Sequence, residues 1–214
     1  MKEVKAVLFD MDGLIFDTEG LYKACWQSAA NEQGLVLTDE DYQSFIGVQD
    51  EECERRVAIK FGEALDLERF CQVRDAMFSA EQDKGIPYQP GFAELFAHIK
   101  QNGLKCALVT SSPIKKVTHH FAGTDYISQF DAIVTAENVA NGKPAPDCYL
   151  MACGQLDITP SSCLVLEDSN NGMRSGLDAG CQAIMIPDLL APAEDIVSRA
   201  TSIVDSLLEV KPYL

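Results

Sequence analysis

The stretch "FDMDGLIFDTE", residues 9–19, decides the fold, because a run of apolar residues stops there among four crowded carboxylates. The preceding segment "VKAVLF", residues 4–9, is mostly apolar, as is typical of a strand buried on both faces of a sheet. Asp10 and Asp12 follow this run directly, and Asp17 and Glu19 lie beyond the apolar residues "LIF". We therefore expect Asp10 and Asp12 to stand at the carboxyl end of a buried parallel strand.

Similar short apolar runs recur later in the chain and predict further strands, at "LKCALVT" (104–110), "DAIVT" (131–135), "CLVLE" (163–167) and "QAIMI" (182–186). Helical patterns lie between them, such as "GFAELFAHIKQNG" (91–103), which places four residues on one apolar face: Phe92, Leu95, Phe96 and Ile99. Strands that alternate with helices predict a doubly wound α/β sheet with right-handed crossovers.

The segment between the first strand and residue 91 has a different pattern. It contains no convincing strand, and it offers helical candidates around 20–33, 39–46, 50–61 and 66–83, with Thr38 as a cap for the second. The chain returns through "DKGIPYQPG", whose glycines and prolines are typical of a linker. We therefore predict an α/β core domain from residues 1–16 and 87–214, with a helical domain, residues 17–86, inserted into it.

Composition limits the partners of this chain. Its 214 residues carry 17 Lys and Arg against 33 Asp and Glu, a formal charge of −16, which repels nucleic acid and anionic membranes. The eight cysteines form no CxxC pair and lie mostly among apolar neighbours, so we expect reduced, buried thiols. The chain's first residues have only four apolar residues in a row before an Asp, and no run approaches transmembrane length, so we expect neither a signal peptide nor a transmembrane helix. We expect a cytoplasmic protein that acts as a monomer.

Side chains that can carry chemistry stand at the ends of the predicted strands. Asp10 and Asp12 end the first strand, and the others follow later strands: Thr110, Ser111, Ser112, Lys143, Glu167 and Asp168. In an open α/β sheet the ligand binds outside the carboxyl ends of the strands. Carboxylates gathered there from two strands repel one another, and a hard divalent cation with oxygen ligands relieves that repulsion. Mg²⁺ fits best, because it keeps several waters and bridges to phosphate.

The same residue types suit phosphoryl transfer. An Asp carboxylate beside the metal can attack phosphorus, and a second Asp two residues later can protonate the leaving oxygen and then activate water. Lys143 offers a fixed positive charge for the nucleophile and the phosphoryl oxygens, and the Thr110 hydroxyl can donate a further hydrogen bond.

Four segments together carry a resemblance to a known family. "DMDGL", "VTSS", "GKPAPD" and "LEDSNNG" resemble, in order and spacing, the four motifs of the haloacid dehalogenase superfamily, across almost the whole chain. "FDTE" and the helical insertion are similar to the β-phosphoglucomutase-like branch with a small helical cap. The resemblance implies a Rossmann-like parallel sheet with a mobile cap and an Mg²⁺ cofactor.

The resemblance also implies a role for each matching residue. Asp10 would be the nucleophile and a metal ligand, and Asp12 the general acid and base, whose backbone carbonyl also binds the metal. Thr110 and Lys143 would bind phosphate, and Asp168 would be the second metal carboxylate. Three further groups complete the implied site: Glu167, which supports the metal through its waters or through Lys143, the backbone N–H groups of Met11 and Asp12, and that of Ser111.

Departures from related branches favour a phosphatase. Dehalogenases lack an acid at the position of Asp12, and no segment matches the cap lysine of phosphonatases. Where the mutases carry a His after the first motif and an Arg in the cap, this chain has Tyr22 and Asp50. Water is therefore the expected acceptor, and the expected function is a phosphomonoesterase for small phosphorylated metabolites such as sugar phosphates. The alternatives are a phosphosugar mutase and a non-catalytic module that senses phosphate or serves an interaction.

Several other residues receive structural interpretations. His119 and His120 are expected to pack or to lie at the surface, and Lys115 and Lys116 to form a solvated helix face. Tyr22 and Trp26, spaced by four, either pack on a helical face or line a substrate pocket. The segment 17–19 is expected either to serve as a hinge that leads into the cap or to begin a helix that Thr18 caps.

Overall fold

A computed structural model describes residues 2–46 and 50–214. The chain divides into two compact units, which we call the core unit (Met1–Asp17 with Pro87–Leu214) and the helical unit (Thr18–Ile86). Among the described residues, no helix combines the length and the apolar character needed to cross a lipid bilayer.

The core unit contains one parallel sheet. Its strands are β1 (Ala6–Phe9), β2 (Lys105–Val109), β3 (Ala132–Val134), β4 (Cys163–Glu167), β5 (Gln182–Met185) and β6 (Ser202–Ile203), in the order β3-β2-β1-β4-β5-β6. The predicted α/β class is therefore confirmed. Each of the five predicted runs contains one strand, whereas the two-residue β6 at the edge is too short to leave a sequence pattern. β1 lies in the middle, and its Phe9 is in register with Leu108 and Leu166.

Within its described residues, 18–46 and 50–86, the helical unit contains four α-helices: α1 (Thr18–Glu32), α2 (Asp39–Gln43), α3 (Asp50–Phe61) and α4 (Leu67–Gln82). Thr38 caps α2 as expected, in a capping box with Asp41. Trp26 is buried between the rings of Phe45 and Phe70, at centroid distances of 5.3 and 5.5 Å. The guanidinium of Arg74 lies 4.7 Å from the Trp26 ring. An aromatic cluster therefore joins α1, α4 and the segment that follows α2.

The remaining α-helices cover the sheet of the core unit: α5 (Phe92–Gln101), α6 (Ile114–His120), α7 (Tyr126–Gln129), α8 (Asp147–Leu156), α9 (Asn170–Asp178) and α10 (Glu194–Arg199). α5 buries the four residues of its predicted apolar face. Successive residues of β1 serve opposite layers, because Phe9 packs on Phe92 and Phe96 while Leu8 joins a cluster that contains Tyr149. Because helices cover both faces of the sheet, we expect a ligand to bind outside the carboxyl ends of the strands.

Candidate functional site

Three neighbouring strands bring the predicted side chains together at the carboxyl edge of the sheet. Asp10 follows β1, and its N–H donates to the carbonyl of Leu166 at 3.1 Å. Thr110 follows β2 in the same way, since its N–H donates to the carbonyl of Val134 at 2.9 Å. Asp168 comes directly after β4. The backbone hydrogen bonds between neighbouring strands continue for one residue past β1 and β2. They therefore fix the backbone positions of Asp10 and Thr110, from which the side chains extend.

An acidic cluster lies at this edge. One carboxylate oxygen from each of Asp10, Glu167 and Asp168 lies within 4.8 Å of the others, and all three residues are buried. Buried carboxylates at this separation repel one another unless a cation compensates them. An all-oxygen set of this kind fits a hard divalent cation such as Mg²⁺ better than a soft transition metal.

Lys143 supplies the cationic side chain of this cluster. Its Nζ donates to Asp10 Oδ1 at 2.5 Å, to Glu167 Oε1 at 2.6 Å and to the carbonyl of Val109 at 3.0 Å. Its side chain is only 7% exposed, so the ion pairs are shielded from solvent. Three acids against one ammonium leave the cluster negative, which favours a bound cation.

Glu167 is held by several donors and contacts Lys143 directly. Besides Lys143, the Tyr149 hydroxyl donates to its Oε1 at 2.7 Å, and the Ser169 hydroxyl donates to Oε2 at 3.0 Å. Of the two supporting routes implied for Glu167, the contact with Lys143 is present. Tyr149 escaped the sequence interpretation. A tyrosine on the buried face of α8 needs a partner for its hydroxyl, and that need is the signal that could have indicated it.

The pKa values of Asp10 and Lys143 are both raised, for different reasons. Burial raises the pKa of Asp10 to about 8, against the attraction of Lys143 and with a further contribution from Glu167. Burial alone would lower the pKa of Lys143, but Asp10 and Glu167 outweigh it and hold that pKa above its usual range. The lysine is therefore a permanent positive charge, whereas Asp10 needs a further cation besides Lys143 to ionise readily at neutral pH.

Asp12 is held by donors of its own. Its Oδ2 accepts from the Ser112 hydroxyl at 2.7 Å, and its Oδ1 lies 2.9 Å from the Nζ of Lys116. Burial would raise the pKa of Asp12, but Lys116 and the Ser112 hydrogen bond outweigh it and lower the pKa. The expectation that Lys116 belongs to a solvated helix face is therefore wrong. A seven-residue helix gives too little periodicity to tell which face carries Lys116.

Two glycines permit the close approaches within this site. Gly13 has a φ of +82°, and a Cβ there would lie 2.3 Å from Asp168 Oδ2. A Cβ at Gly172 would lie 1.8 Å from Glu167 Oε1. The glycines of "DMDGL" and "LEDSNNG" are therefore required by the packing of the carboxylates themselves.

The residues predicted to bind phosphate surround the turn after β1. The Thr110 side chain is buried and its Oγ1 accepts from the N–H of Ser112 at 3.0 Å, while Ser111 is exposed. Within the turn, the N–H groups of Ile15 and Phe16 donate to the carbonyl of Met11. Neither of these two bonds uses the N–H of Met11 or Asp12, and the phosphate cradle stays a prediction.

The helical unit contains a pocket of about 90 Å³. Its lining combines aromatic and acidic side chains: Glu19, Tyr22, Trp26, Tyr42, Phe45, Ile46, Asp50 and Cys53. The Tyr42 hydroxyl donates to Glu19 Oε2 at 3.2 Å. Among the residues of this unit that the structure describes, no lysine or arginine lines the pocket. Tyr22 and Asp50, the two positions matched to the mutase machinery, line the same pocket, and Trp26 both lines it and packs.

The histidines of α6 have the packing and surface roles expected of them. The His120 ring lies 5.2 Å from the Phe16 ring, and burial lowers the pKa of His120 to about 4. His119 is exposed. An imidazole that stays neutral and packed against an aromatic ring is poorly suited to proton transfer at neutral pH.

Known proteins resemble the chain along most of its length. The family model of haloacid dehalogenase-like hydrolases matches residues 7–186. Hexitol phosphatase A of Escherichia coli is 34% identical over 193 residues, which cover 89% of this chain and 85% of that protein. The phosphorylated carbohydrates phosphatase of Thermotoga maritima is 30% identical over 189 residues, or 85% of this chain and 84% of that protein.

A solved structure resembles both units. The crystal structure of CbbY from Rhodobacter sphaeroides in complex with phosphate matches with a TM-score of 0.74 and 27% identity, and the match covers 97% of this chain and 96% of that one. The resemblance therefore extends beyond the motifs to the whole α/β core and its helical insertion.

Proposed function

The chain belongs to the haloacid dehalogenase-like hydrolase family, and from that premise we propose that it is a magnesium-dependent phosphomonoesterase that hydrolyses small phosphorylated metabolites, above all sugar phosphates, through an aspartyl-phosphate. One observation carries the proposal. Asp10 accepts a hydrogen bond from Lys143 and lies in a buried cluster with Glu167 and Asp168. Asp12 contacts other side chains, Ser112 and Lys116. A nucleophile and a proton donor are thus held independently.

Each half of the reaction assigns a task to these residues. The carboxylate of Asp10 attacks phosphorus, the bond from phosphorus to the ester oxygen breaks, and Asp12 gives its proton to the departing oxygen. Asp12 then takes a proton from water, whose oxygen attacks phosphorus and frees Asp10 and inorganic phosphate. Lys143 steadies the charge on the phosphoryl oxygens throughout. Mg²⁺ held by Asp10 and Asp168 would add positive charge at those same oxygens.

The helical unit acts as the cap that selects the leaving group. Its pocket presents aromatic rings, Glu19 and Asp50, and its described lining carries no cation that would hold a second phosphate or a carboxylate. We propose that it favours uncharged, hydroxyl-rich leaving groups and disfavours bisphosphates. This preference supports water over a second phosphosugar as the acceptor, and it agrees with the names of the two curated relatives. The eight free cysteines support a reducing compartment such as the cytoplasm.

The decisive experiment is a panel of small phosphate esters. The purified chain is assayed with Mg²⁺ and then with EDTA, against hexitol and hexose monophosphates, fructose 1,6-bisphosphate and glucose 1-phosphate. We expect inorganic phosphate from the uncharged monoesters, little from the bisphosphate, and none with EDTA. Conversion of glucose 1-phosphate to glucose 6-phosphate with little free phosphate would show a mutase. An inactive panel would leave a phosphate-sensing module.

A further inference from the structure

Both carboxylate oxygens of Asp12 are engaged by the segment that follows β2. Ser112, in the loop after the strand, donates to Oδ2 at 2.7 Å, and Lys116, in the first turn of α6, lies 2.9 Å from Oδ1. The side chains of Asp12 and Lys116 are only 22% and 20% exposed, so the ion pair is shielded from bulk water. Lys116 therefore belongs to the surroundings of a reacting group.

A carboxylate that is anchored through one oxygen can still rotate about its terminal bond, because that torsion has a broad energy profile. A hydrogen bond on Oδ2 and an ion pair on Oδ1 restrict this rotation and fix the plane of the Asp12 carboxylate. Each carboxylate oxygen has about two lone-pair sites, so Oδ2 keeps one for a reacting proton beside its bond from Ser112, while the buried Oδ1 faces Lys116. Ser112 and Lys116 thus orient the carboxylate and leave Oδ2 a site for the proton.

The division between the two lysines of the site supports this role. Lys143 contacts Asp10 and Glu167. The Lys116 ammonium contacts Asp12 instead. Burying most of a lysine side chain beside an acid costs desolvation, and a lysine kept only for solubility would not incur that cost. Its neighbour Lys115 is exposed, as such a lysine should be.

We propose that Lys116 is a positioning residue that, together with Ser112, fixes the carboxylate plane of Asp12 so that its proton reaches the leaving-group oxygen. The inference rests on the proposed phosphatase function. A proton transfer of this kind contributes about 10²- to 10⁴-fold to the rate, and a misdirected carboxyl group forfeits part of that contribution. Removing Lys116 should therefore weaken only reactions whose leaving group needs the proton.

Substrates with different leaving groups distinguish a positioning role of Lys116 from a purely structural one. p-Nitrophenolate departs from phosphorus as a stable anion and needs no proton, whereas the alkoxide of a sugar phosphate must be protonated as it leaves. The parameter to compare is kcat/KM, because it reports the steps up to leaving-group release and excludes the later hydrolysis of the phosphorylated Asp10.

The experiment compares Lys116→Met with Lys115→Met, which makes the same chemical change one residue away on an exposed side chain. We expect Lys116→Met to lower kcat/KM for glucose 6-phosphate about tenfold more than for p-nitrophenyl phosphate. We expect Lys115→Met to leave both values near wild type, and Lys116→Arg to restore most of the loss. Circular dichroism melts of each variant show whether the fold is kept.

Each other outcome has one meaning. An equal fall on both substrates, or a Lys116→Met variant that matches Lys115→Met, overturns the positioning role and leaves the phosphatase function standing. A wild-type protein that turns over neither substrate with Mg²⁺ overturns the phosphatase function and this inference with it. A rise in turnover of glucose 6-phosphate in Lys116→Met would show that the lysine restrains Asp12, which also overturns the inference.

Discussion

The acidic groups of two sites, one in each unit, have different electrostatic surroundings. In the core unit, Asp10 and Glu167 share Lys143, and Asp12 has Lys116. In the helical unit, the pocket carries Glu19 and Asp50 among aromatic rings, with no cationic side chain in its described lining. The comparison teaches that acids paired with lysines lie at the candidate chemical site, whereas we propose that the acids on the aromatic surface of the pocket disfavour anionic ligands.

The largest effect that tests this contrast comes from the nucleophile. Asp10→Asn keeps the size of the side chain but removes the anion that attacks phosphorus, so phosphate release should fall by about 10⁴-fold or more. Asp205→Asn, at an exposed position of the core unit, serves as the matched control and should keep its activity. The measurement is inorganic phosphate released from a hexose monophosphate. Persistent turnover by a folded Asp10→Asn protein would refute covalent catalysis at this residue.

Without a bound cation, repulsion among the core carboxylates should make the free energy of unfolding depend on pH. In the folded protein the pKa of Asp10 is raised from 3.8 to about 8. Between pH 3.8 and about 8, Asp10 is therefore protonated in the folded state and ionised in the unfolded state. Its stabilising contribution is present at low pH and is lost as the pH rises through about 8. With EDTA, the free energy of unfolding should fall by about 1–2 kcal/mol from pH 6.5 to 8.

Urea unfolding at a series of pH values measures this slope. The window above pH 6.5 avoids His120, whose lowered pKa of about 4 affects stability only between that value and 6.5. Asp10→Asn should flatten the slope, and Mg²⁺ should flatten it in the wild type by stabilising the ionised carboxylate. A wild-type slope that is equal to that of Asp10→Asn would show that Asp10 titrates normally.

A smaller effect is expected in the pocket of the helical unit. Asp50→Arg gives this pocket the cation that its described lining lacks, so kcat/KM for fructose 1,6-bisphosphate relative to a hexose monophosphate should rise about tenfold, or about 1.4 kcal/mol. Glu51→Arg makes the same charge change at the next residue, which is exposed and outside the pocket lining. Equal ratios in the two variants would show that the pocket does not meet the second phosphate.

The core site was largely readable from the sequence, for a physical reason. Parallel strands end at one edge, so Asp10, Thr110 and Asp168 could be brought together by counting apolar runs. The positions of Ser112 and Lys116 against Asp12 depend on where a short helix begins and which side it turns to, and no periodicity records that. The pocket of the helical unit is harder still to predict, because a pocket formed by packed aromatic residues leaves the same sequence pattern as an ordinary apolar helix face.

The smallest expected effect comes from two buried tyrosines, one in each unit, that can be compared by the same substitution. Tyr149 donates to Glu167 Oε1 at 2.7 Å and is fully buried, whereas Tyr42 donates to Glu19 Oε2 at 3.2 Å and is 4% exposed. Replacing either by Phe removes one hydroxyl and keeps the ring. Because the core carboxylates depend on each donor, Tyr149→Phe should lower the free energy of unfolding by about 1 kcal/mol more than Tyr42→Phe.

The same pair should separate in activity. Tyr149→Phe should slow phosphate release a few-fold, because Glu167 then holds Lys143 less firmly. Tyr42→Phe should change the preference among monophosphates and leave the fastest rate near that of the wild type, because it alters only the wall of the pocket. If the two variants lost the same stability and the same activity, the carboxylates of the core unit would depend no more on their donors than those of the helical unit, and charge compensation would no longer distinguish the chemical site from the selective one.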